Sequence, residues 1–342
     1  MRDVKLALVG FGNVGQAFAR LLLRKEDELR KEYGLLFSVT GIATRSRGAL
    51  IDPKGIATAE VLARLEAGLP IAEVTPASLQ NMTGFINSVD ANVMLENTPV
   101  SPLDGEPALT HARVAIERGM HVVTANKGPV AHGYRMLSGM ALQRDVRFLF
   151  ESAVMDGAPV FAIFREAMPS ARLLGFHGIL NSSTNLLLGR MEAGESFEQA
   201  LAYARSIGIV ETDPSADVDG WDAAIKVCCL ANVLMGAELK PQDIEREGMR
   251  GITVDMIAEA RAAGKRWKLV CRAEFKEGRV QGSVRPEQVS PDSPLYAING
   301  TSSYVQFHTD VLPGLGLVES DPGPETTAYG LLADVLNIFR ER

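Results

Sequence analysis

The chain of 342 residues has little of several features that mark other protein classes. It has three cysteines, Cys228, Cys229 and Cys271, and no C-x-x-C pair, which argues against a zinc site and a disulfide framework. No run approaches the roughly 18 uncharged apolar residues that a membrane-spanning helix needs. Aromatic residues are few, at 6%, whereas the 32 glycines are typical of a fold with many tight strand-to-helix turns.

An excess of basic charge is also absent. The net charge is −7 and the pI is about 5.4, so a nucleic-acid partner is not expected. A signal peptide would need a basic start and a longer apolar core than Leu6 to Val9, which Asp3 precedes and glycines follow, so a cytoplasmic protein is expected. With 46% hydrophobic residues the chain can form one large domain or two ordinary ones.

The first half alternates predicted strands with predicted helices, which indicates βαβ units and a parallel sheet. The strands are predicted at 4–9, 35–43, 93–95, 121–123 and 146–150. The helices are predicted at 16–31, 59–68, 107–118 and 133–143. Ligands of such sheets bind beyond the carboxyl ends of the strands.

The second half has a different pattern. Strands are predicted at 173–180, 265–275 and 278–285, and helices at 185–192, 197–207, 219–234 and 327–339. We expect an α/β chain with a Rossmann-type parallel-sheet nucleotide-binding domain, residues 1–150 and 322–342. An α+β region, residues 151–321, is expected to bind substrate, catalyse and dimerise. The weakly charged stretch 286–324 suits a buried sheet at a subunit interface.

A glycine-rich turn follows the first predicted strand. Its residues, Gly10-Phe11-Gly12-Asn13-Val14-Gly15, stand between a strand and a helix, the context that dinucleotide binding requires. Gly10 permits the turn, Gly12 lets the backbone approach a pyrophosphate, and Gly15 allows close packing of helix and strand. The helix N-terminus then offers N–H groups to the phosphates. A purely structural turn is the alternative.

The end of the second strand bears on the choice of cofactor. An NAD site places a carboxylate there for the ribose 2′-hydroxyl, but this chain has Thr44-Arg45-Ser46-Arg47. Arginine can bind a 2′-phosphate with two hydrogen bonds, so NADP is predicted as the preferred cofactor and NAD as the alternative. A solvated basic turn would leave the preference open.

The segment 211–226 holds five carboxylates within 12 residues, followed by a lysine. Asp219 is predicted to be the N-cap of the helix that follows, and Asp222 and Lys226 are expected to share one helical face. Helix capping with a surface ion pair explains two of these acids but not all five. A substrate ammonium group would stabilise the cluster, and a metal ion is the other candidate.

Four segments together resemble homoserine dehydrogenases, in the same order along nearly the whole chain. They are the turn 10–15, Thr-Ala-Asn-Lys at 124–127, Gly-Ile-Leu-Asn-Ser-Ser-Thr-Asn at 178–185, and the acidic segment 211–226. The resemblance implies reversible NAD(P)H-dependent reduction of L-aspartate 4-semialdehyde to L-homoserine, in threonine, isoleucine and methionine biosynthesis, by a homodimer. The chain departs from the family at Ser182-Ser183 and at Asp321-Pro322-Gly323, two loops expected near the ligands.

The resemblance also implies roles for individual residues. Lys226 matches the proton donor to the substrate oxygen, and Lys127 matches a lysine at the junction of cofactor and substrate. Glu211 matches the residue that binds the substrate amino group, and the same pocket includes Asp217 and Asp222. Thr98 matches a cofactor contact.

A cation site is implied by the same resemblance. Glu151, Val154, Asp156 and Ala158 fall where some family members bind a sodium or potassium ion. Two of these contacts would be backbone carbonyls, so the side chains alone say little about the site.

Two rival functions remain open at this point. One is another NADP-dependent oxidoreductase acting on an amino-acid aldehyde, including a phosphorylating enzyme that uses a thiolate and a histidine. The other is a non-catalytic NADP-binding protein, which would not need Lys226. The length also predicts that the regulatory ACT domain of longer relatives is absent, and with it strong inhibition by threonine.

Overall fold

The computed structural model describes residues 1–72, 81–210 and 212–340. Its contacts divide the chain into two compact units. The first unit comprises Met1–Pro159 and the C-terminal segment from Gly323, and the second comprises Val160–Pro322. In the described ranges no helix is long and apolar enough to cross a membrane.

The elements of the first 159 residues follow the predicted alternation. They are β1 (Arg2–Val9), α1 (Asn13–Tyr33), β2 (Leu35–Ala43), β3 (Ala49–Ile51), α2 (Thr58–Glu66), α3 (Met82–Ser88), β4 (Val93–Glu96), α4 (Ala108–Glu117), β5 (His121–Thr124), α5 (Lys127–Gln143) and β6 (Phe148–Leu149). The sequence analysis missed β3 and α3, which have only three and seven residues.

The remaining elements mix strands and helices without the βαβ alternation. They are α6 (Val160–Ala162), β7 (Leu173–Ile179), α7 (Ser182–Glu192), α8 (Phe197–Ser206), α9 (Ser215–Val218), α10 (Trp221–Leu234), β8 (Glu245–Arg246), α11 (Val254–Ala262), β9 (Arg266–Lys276), β10 (Arg279–Val289), β11 (Ser303–Thr309), β12 (Leu315–Glu319) and α12 (Pro324–Phe339).

The first unit contains a six-stranded sheet of order β3-β2-β1-β4-β5-β6. All neighbouring strands are parallel except β3, which pairs antiparallel with β2 at the edge. The strand order reverses between β1 and β4, and ligands bind at this switch point in doubly wound sheets. The predicted Rossmann-type sheet is therefore confirmed.

The core of this unit is built from buried side chains of β1 and α1 with the C-terminal helix. Phe18 and Leu6 are fully buried, and Leu331 and Val335 of α12 belong to the same cluster. Ser152 Oγ also donates a 2.8 Å hydrogen bond to the carbonyl of Thr327 in α12. The last helix of the chain thus completes the first unit. Removing a buried side chain such as Phe18 would cost about 3–5 kcal/mol.

The second unit contains a sheet of order β12-β11-β7-β9-β10-β8. Its strands are antiparallel neighbours except β8, which pairs parallel with β10 at Ser283 and Val284. Strand β10 continues to Val289, beyond the predicted end at 285, because Pro286 lies past the residues paired with β8. At that point β10 is an edge strand, where proline is tolerated.

Candidate active site

The turn between β1 and α1 has the geometry of a dinucleotide site. Gly10 has φ +86°, and a Cβ there would lie 2.5 Å from the Asn97 carbonyl oxygen, so only glycine fits. A Cβ on Gly15 would lie 2.7 Å from the Gly10 carbonyl oxygen. At Gly12 no described atom lies within 4 Å of the Cβ position. The turn is therefore closed behind Gly10 and Gly15 and open at Gly12, where a pyrophosphate would approach.

The other three residues of the turn have different surroundings. Phe11 is buried, Val14 packs against the core, and Asn13 is exposed at the start of α1. The N-cap of α1 is Gly12, which offers no side-chain cap to the first N–H groups of the helix. These donors fit an anionic ligand.

The tip of β2 is a short turn with two exposed guanidinium groups. Thr44 Oγ1 accepts a 2.8 Å hydrogen bond from the Arg47 backbone and donates at 3.0 Å to the Gly48 carbonyl. Arg45 and Arg47 are exposed, and no carboxylate of the described residues forms an ion pair with them. Exposed guanidinium groups of this kind can hydrogen-bond an anionic group such as a phosphate.

Thr98 and Lys127 lie at neighbouring strand ends in the first unit. The Asn126 amide joins their segments: its Nδ2 donates to the Thr98 carbonyl at 2.8 Å. Its Oδ1 accepts from Gly128 N at 2.8 Å and so caps α5, which begins at Lys127. The sequence analysis included Asn126 in the segment 124–127 that resembles the family but did not predict this cross-link. An asparagine directly before a helix is the signal that could have identified the cap.

The Thr98 side chain is held by a buried carboxylate. Thr98 Oγ1 donates to Glu96 Oε1, which His111 Nδ1 also approaches at 3.2 Å. Glu96 is fully buried, and Thr124 Oγ1 donates at 2.6 Å to its carbonyl. No sequence pattern indicated a role for Glu96, because a carboxylate at the end of a buried strand is not by itself a motif.

The second unit brings Lys226 together with two of the predicted acids. Lys226 Nζ donates a 2.6 Å hydrogen bond to the Leu180 carbonyl and lies 3.6 Å from Asp222 Oδ2. Asn181 Nδ2 donates to Asp217 Oδ1 at 2.6 Å and to Asp222 Oδ2 at 2.9 Å. One amide group therefore links both carboxylates. Glu211 lies outside the described residues, so its predicted position has no structural account.

These side chains lie in a protected environment. Helix α10 is buried along most of its length, while Lys226 and Asp222 keep 14% and 20% of their side-chain surface. Burial and the nearby Asp222 raise the pKa of Asp217 above its ordinary value. Hydrogen bonds from Asn181 and Ser183 and the charge of Lys226 oppose that rise. The carboxylates of Asp217 and Asp222 can bind a cationic group. Lys226 on α10 can supply an ammonium proton beside them.

The prediction that Asp219 caps α10 is wrong. The N-cap is Gly220, in the left-handed conformation at φ +78°, and it makes no side-chain cap. The Asp219 carboxylate is instead paired with Arg250. A glycine N-cap permits the abrupt turn from α9 into α10 that leaves Asp217 and Asp222 on the same amide.

The predicted cation-site residues lie in the first unit, where they pack on α12. Asp334 Oδ2 accepts a 2.7 Å hydrogen bond from the Glu151 backbone, and Asp156 Oδ2 accepts one of 3.1 Å from Thr326 Oγ1. Val154 is buried beside them. Ala158 N donates to the Met155 carbonyl at 2.8 Å. The described residues hold no group of three or more His, Cys, Asp or Glu side chains suited to a metal, so a site here would depend on carbonyl oxygens and stays a prediction.

The cysteines do not support thiolate chemistry. Cys228 and Cys271 are fully buried. Burial raises the pKa of the Cys228 thiol and raises that of Cys271 to about 12. A thiol in such surroundings is inert packing, which argues against the phosphorylating aldehyde dehydrogenase.

Comparison with known proteins decides the family. A model described as "Homoserine dehydrogenase, NAD binding domain" matches residues 10–151, and one described as "Homoserine dehydrogenase" matches residues 159–336. The chain belongs to the homoserine dehydrogenase family. It is therefore an NAD(P)-dependent oxidoreductase with an NAD-binding domain, as the resemblance predicted.

Relatives of this family match over the full length. The chain is 36% identical to the NAD(+)-dependent homoserine dehydrogenase of Pseudomonas canavaninivorans, over 99% of this chain and 97% of the relative. A solved structure of a putative homoserine dehydrogenase from Archaeoglobus fulgidus has TM-score 0.86 and 30% identity, covering 99% and 100% of the two chains. A hyperthermophilic archaeal homoserine dehydrogenase mutant in complex with NADPH has TM-score 0.82 and 27% identity, covering 98% of each chain.

Proposed function

We propose that this family member catalyses the reversible NAD(P)H-dependent reduction of L-aspartate 4-semialdehyde to L-homoserine. The observation that carries the proposal is the cluster in the second unit: Lys226 Nζ near Asp222, and Asp222 joined to Asp217 through Asn181. An aldehyde with an ammonium group at its other end matches this arrangement of one cation and two anions.

Lys226 is the proton donor in this proposal. The nicotinamide, when bound, supplies a hydride to the aldehyde carbon, and the carbonyl oxygen then needs a proton. An ammonium has three N–H donors. The Leu180 carbonyl and Asp222 take two directions around Lys226 Nζ, and a third can face the substrate oxygen. The positive charge also stabilises the developing alkoxide.

The acidic residues orient the substrate. Asp217 and Asp222 attract its ammonium group, and Glu211 joins them on the strength of the family resemblance. A fixed amino-acid end directs the carbonyl toward the reacting atoms, which is a large part of enzymatic rate acceleration. Lys127 follows Asn126 at the end of β5 and is the second catalytic lysine in this proposal, at the junction of cofactor and substrate.

NADP is proposed as the preferred cofactor and NAD as the alternative. The Gly10–Gly15 turn and Thr98 would hold the shared part of both cofactors. Arg45 is proposed to bind the 2′-phosphate, because it is exposed at the strand tip without a carboxylate partner among the described residues. One solved relative is in complex with NADPH and another relative is named as NAD(+)-dependent, which supports keeping both cofactors in the proposal.

The remaining parts of the proposal concern organisation. The first unit is assigned to the cofactor, and the second to substrate and dimerisation. The protein is proposed to act in the cytoplasm, in threonine, isoleucine and methionine biosynthesis. It is also proposed to be a homodimer, because apolar side chains are exposed at the end of the second sheet. Val311 and Val318 are 64% and 58% exposed there. A sodium or potassium ion beside Glu151 and Asp156 is proposed without a part in the reaction steps.

The test is a direct assay. Purified protein is mixed with L-aspartate 4-semialdehyde and either NADPH or NADH, and the nicotinamide absorbance is followed. We expect turnover with a lower KM for NADPH. Lys226→Ala should lower kcat by at least about 100-fold, the lower end of what general acid catalysis contributes.

Lys25→Ala is the matched control, because Lys25 forms a surface ion pair with Glu28 on α1 and should leave kcat unchanged. No turnover by the unmodified protein would reject the proposed reaction. Near-normal turnover by Lys226→Ala would reject the mechanism. Similar KM values for NADPH and NADH would reject the cofactor preference.

A further inference from the structure

The two acids of the candidate substrate site are carried by a tight turn between two helices, and the structure shows contacts to that turn from another part of the chain. Asp217 is in the four-residue helix α9, and Asp222 is in the first turn of α10. Between them the chain reverses at Asp219 and at Gly220, with φ +78°. Neither helix receives a side-chain N-cap. Backbone hydrogen bonds such as Gly220 N to the Asp217 carbonyl (2.9 Å) hold the turn locally, and packing from outside is a second means of fixing the two carboxylates.

A segment from a distant part of the chain, residues 246–250, fills that position. It is anchored to the sheet, since Arg246 ends strand β8 and Glu247 N donates at 2.8 Å to the Val284 carbonyl. Met249 N donates at 2.9 Å to the Val218 carbonyl at the end of α9. A Cβ on Gly248 would lie 2.7 Å from Asp219 Cα, so the two backbones are in direct contact.

Two arginines of this segment hold both sides of the turn. The Arg246 guanidinium lies 3.8 Å from the centroid of the Trp221 ring and donates to the Asp219 carbonyl. Arg250 donates from Nη2 to Asp219 Oδ2 and to Ser215 Oγ, both at 3.2 Å. Arg246 thus contacts the first residue of α10, and Arg250 contacts the first residue of α9.

We propose that Arg246 and Arg250 are positioning residues that fix the α9–α10 turn, and so set the spacing of Asp217 and Asp222. That spacing is what lets the single Asn181 amide bond both carboxylates, at 2.6 and 2.9 Å. This inference rests on the proposed function of the two acids as the site for the substrate ammonium group. Arg246 carries more of the effect, because it is half-buried and stacks on Trp221, whereas Arg250 is 53% exposed.

Loss of this positioning should change the KM for L-aspartate 4-semialdehyde and leave the KM for NADPH nearly unchanged. Arg246→Ala should raise the KM for L-aspartate 4-semialdehyde by about 10-fold, because small displacements of orienting groups have large effects on productive binding. The KM for NADPH should stay within about two-fold, since uniform loss of substrate binding leaves cofactor binding unaffected. Arg246→Lys keeps a cation over Trp221 and a donor to the Asp219 carbonyl, and should restore most of the lost affinity.

The controls separate this inference from the proposed function. Arg113→Ala removes an exposed ion pair with Glu117 on α4 and should change neither constant. Asp217→Asn tests the substrate site itself: an unchanged semialdehyde KM there overturns both the site and the positioning role. If Asp217→Asn raises that KM and Arg246→Ala only lowers the melting temperature, the positioning role alone is wrong.

If Arg246→Ala does not fold, Arg250→Ala is measured in its place. A smaller rise in the semialdehyde KM is expected, and an unchanged KM overturns the positioning role.

Discussion

Two effects disfavour the charged form of the Asp217 side chain. Its carboxylate is largely removed from water and lies near Asp222, and both effects raise its pKa. In such a group the folded state binds a proton more tightly than the unfolded state does. Stability linked to Asp217 is therefore fully present below the ordinary pKa of 3.8 and is lost as pH rises through the raised folded value.

Asp217→Asn should consequently stabilise the folded protein while weakening its binding of the substrate. At pH 7 we expect the free energy of unfolding to rise by about 1 kcal/mol, within the range of single stabilising changes. The gain should diminish as pH falls through the raised pKa of Asp217, because the native carboxyl then takes up a proton. Urea unfolding of both proteins between pH 4 and pH 7 measures this difference, and the semialdehyde KM should rise in the same variant.

Asp213→Asn is the matched control, because Asp213 is exposed and its hydrogen bonds to Ser215 lower its pKa. Its effect on stability should have the opposite pH dependence. A destabilised Asp217→Asn protein, with a loss independent of pH, would contradict the electrostatic account and indicate that the carboxylate is needed for packing.

At the scale of elements, two helices begin with an asparagine that has two functions. Asn126 caps α5 through Oδ1 and cross-links to the Thr98 carbonyl through Nδ2. Asn181 caps α7 in the same way at Thr184 N and uses Nδ2 for the acids. Aspartate or serine would cap equally well but could not supply the same donor. The choice of asparagine therefore connects the start of a helix to a candidate site.

Variants of Asn126 can separate these two functions. Asn126→Asp keeps the cap and loses the donor to Thr98, whereas Asn126→Ala loses both. Each should raise the KM for NADPH by about tenfold, the worth of one buried hydrogen bond. Both variants lose the stability that the bond to Thr98 contributes, and Asn126→Ala should lower the free energy of unfolding by about 1 kcal/mol more through loss of the cap.

Steady-state kinetics and urea unfolding on the same preparations give both quantities. Asn81 caps the short helix α3 at Gly84 N, so Asn81→Asp should change neither. An unchanged NADPH constant in Asn126→Asp would mean that Asn126 is only a helix cap.

These helices also show why element boundaries were predicted less well than element types. Helix α5 begins at Lys127 and α7 at Ser182, earlier than the predicted 133 and 185. Their first turns hold glycine, proline or serine, which carry no amphipathic period, so apolar spacing located only the later turns. The capping asparagines were the better indicator of both starts.

The candidate site likewise has parts that the sequence predicts and parts that it does not. The glycine turn and the run of acids ending in Lys226 are local patterns, so the sequence could mark them. The Asn181 bonds join residues 36 and 41 positions apart in the chain, and Arg246 reaches Asp219 from 27 positions away. Such contacts depend on how α7, α10 and β8 are brought together, which no local pattern encodes.

At the scale of the whole molecule, a buried lysine links stability to pH. Lys268 is 2% exposed, and its Nζ donates at 2.9 Å to Asn185 Oδ1 and also to the Ile298 carbonyl. Asn185 Nδ2 donates at 3.0 Å to the Gly300 carbonyl. Strand β9, helix α7 and the loop before β11 are thereby tied to one ammonium group. Burial lowers the pKa of Lys268 to about 8, with the nearby Arg266 charge acting in the same direction.

A lowered lysine pKa makes the folded protein release its proton before the unfolded chain does. Between pH 8 and 10 the unfolded state binds more protons at this position, so stability linked to Lys268 rises with pH. We expect the free energy of unfolding of the unmodified protein to gain on the order of 2 kcal/mol over this range relative to Lys268→Met. The absolute stability of Lys268→Met is expected to be lower over the whole range, because Asn185 and Ile298 lose a donor.

The informative quantity is therefore how the difference in free energy of unfolding between the two proteins changes with pH, measured by urea unfolding at pH 8, 9 and 10. Lys276→Met, on the exposed end of the same strand, should run parallel to the unmodified protein. If the Lys268→Met curve also runs parallel, the ammonium of Lys268 keeps its proton throughout this range, and the buried cluster contributes hydrogen bonds without any dependence on pH.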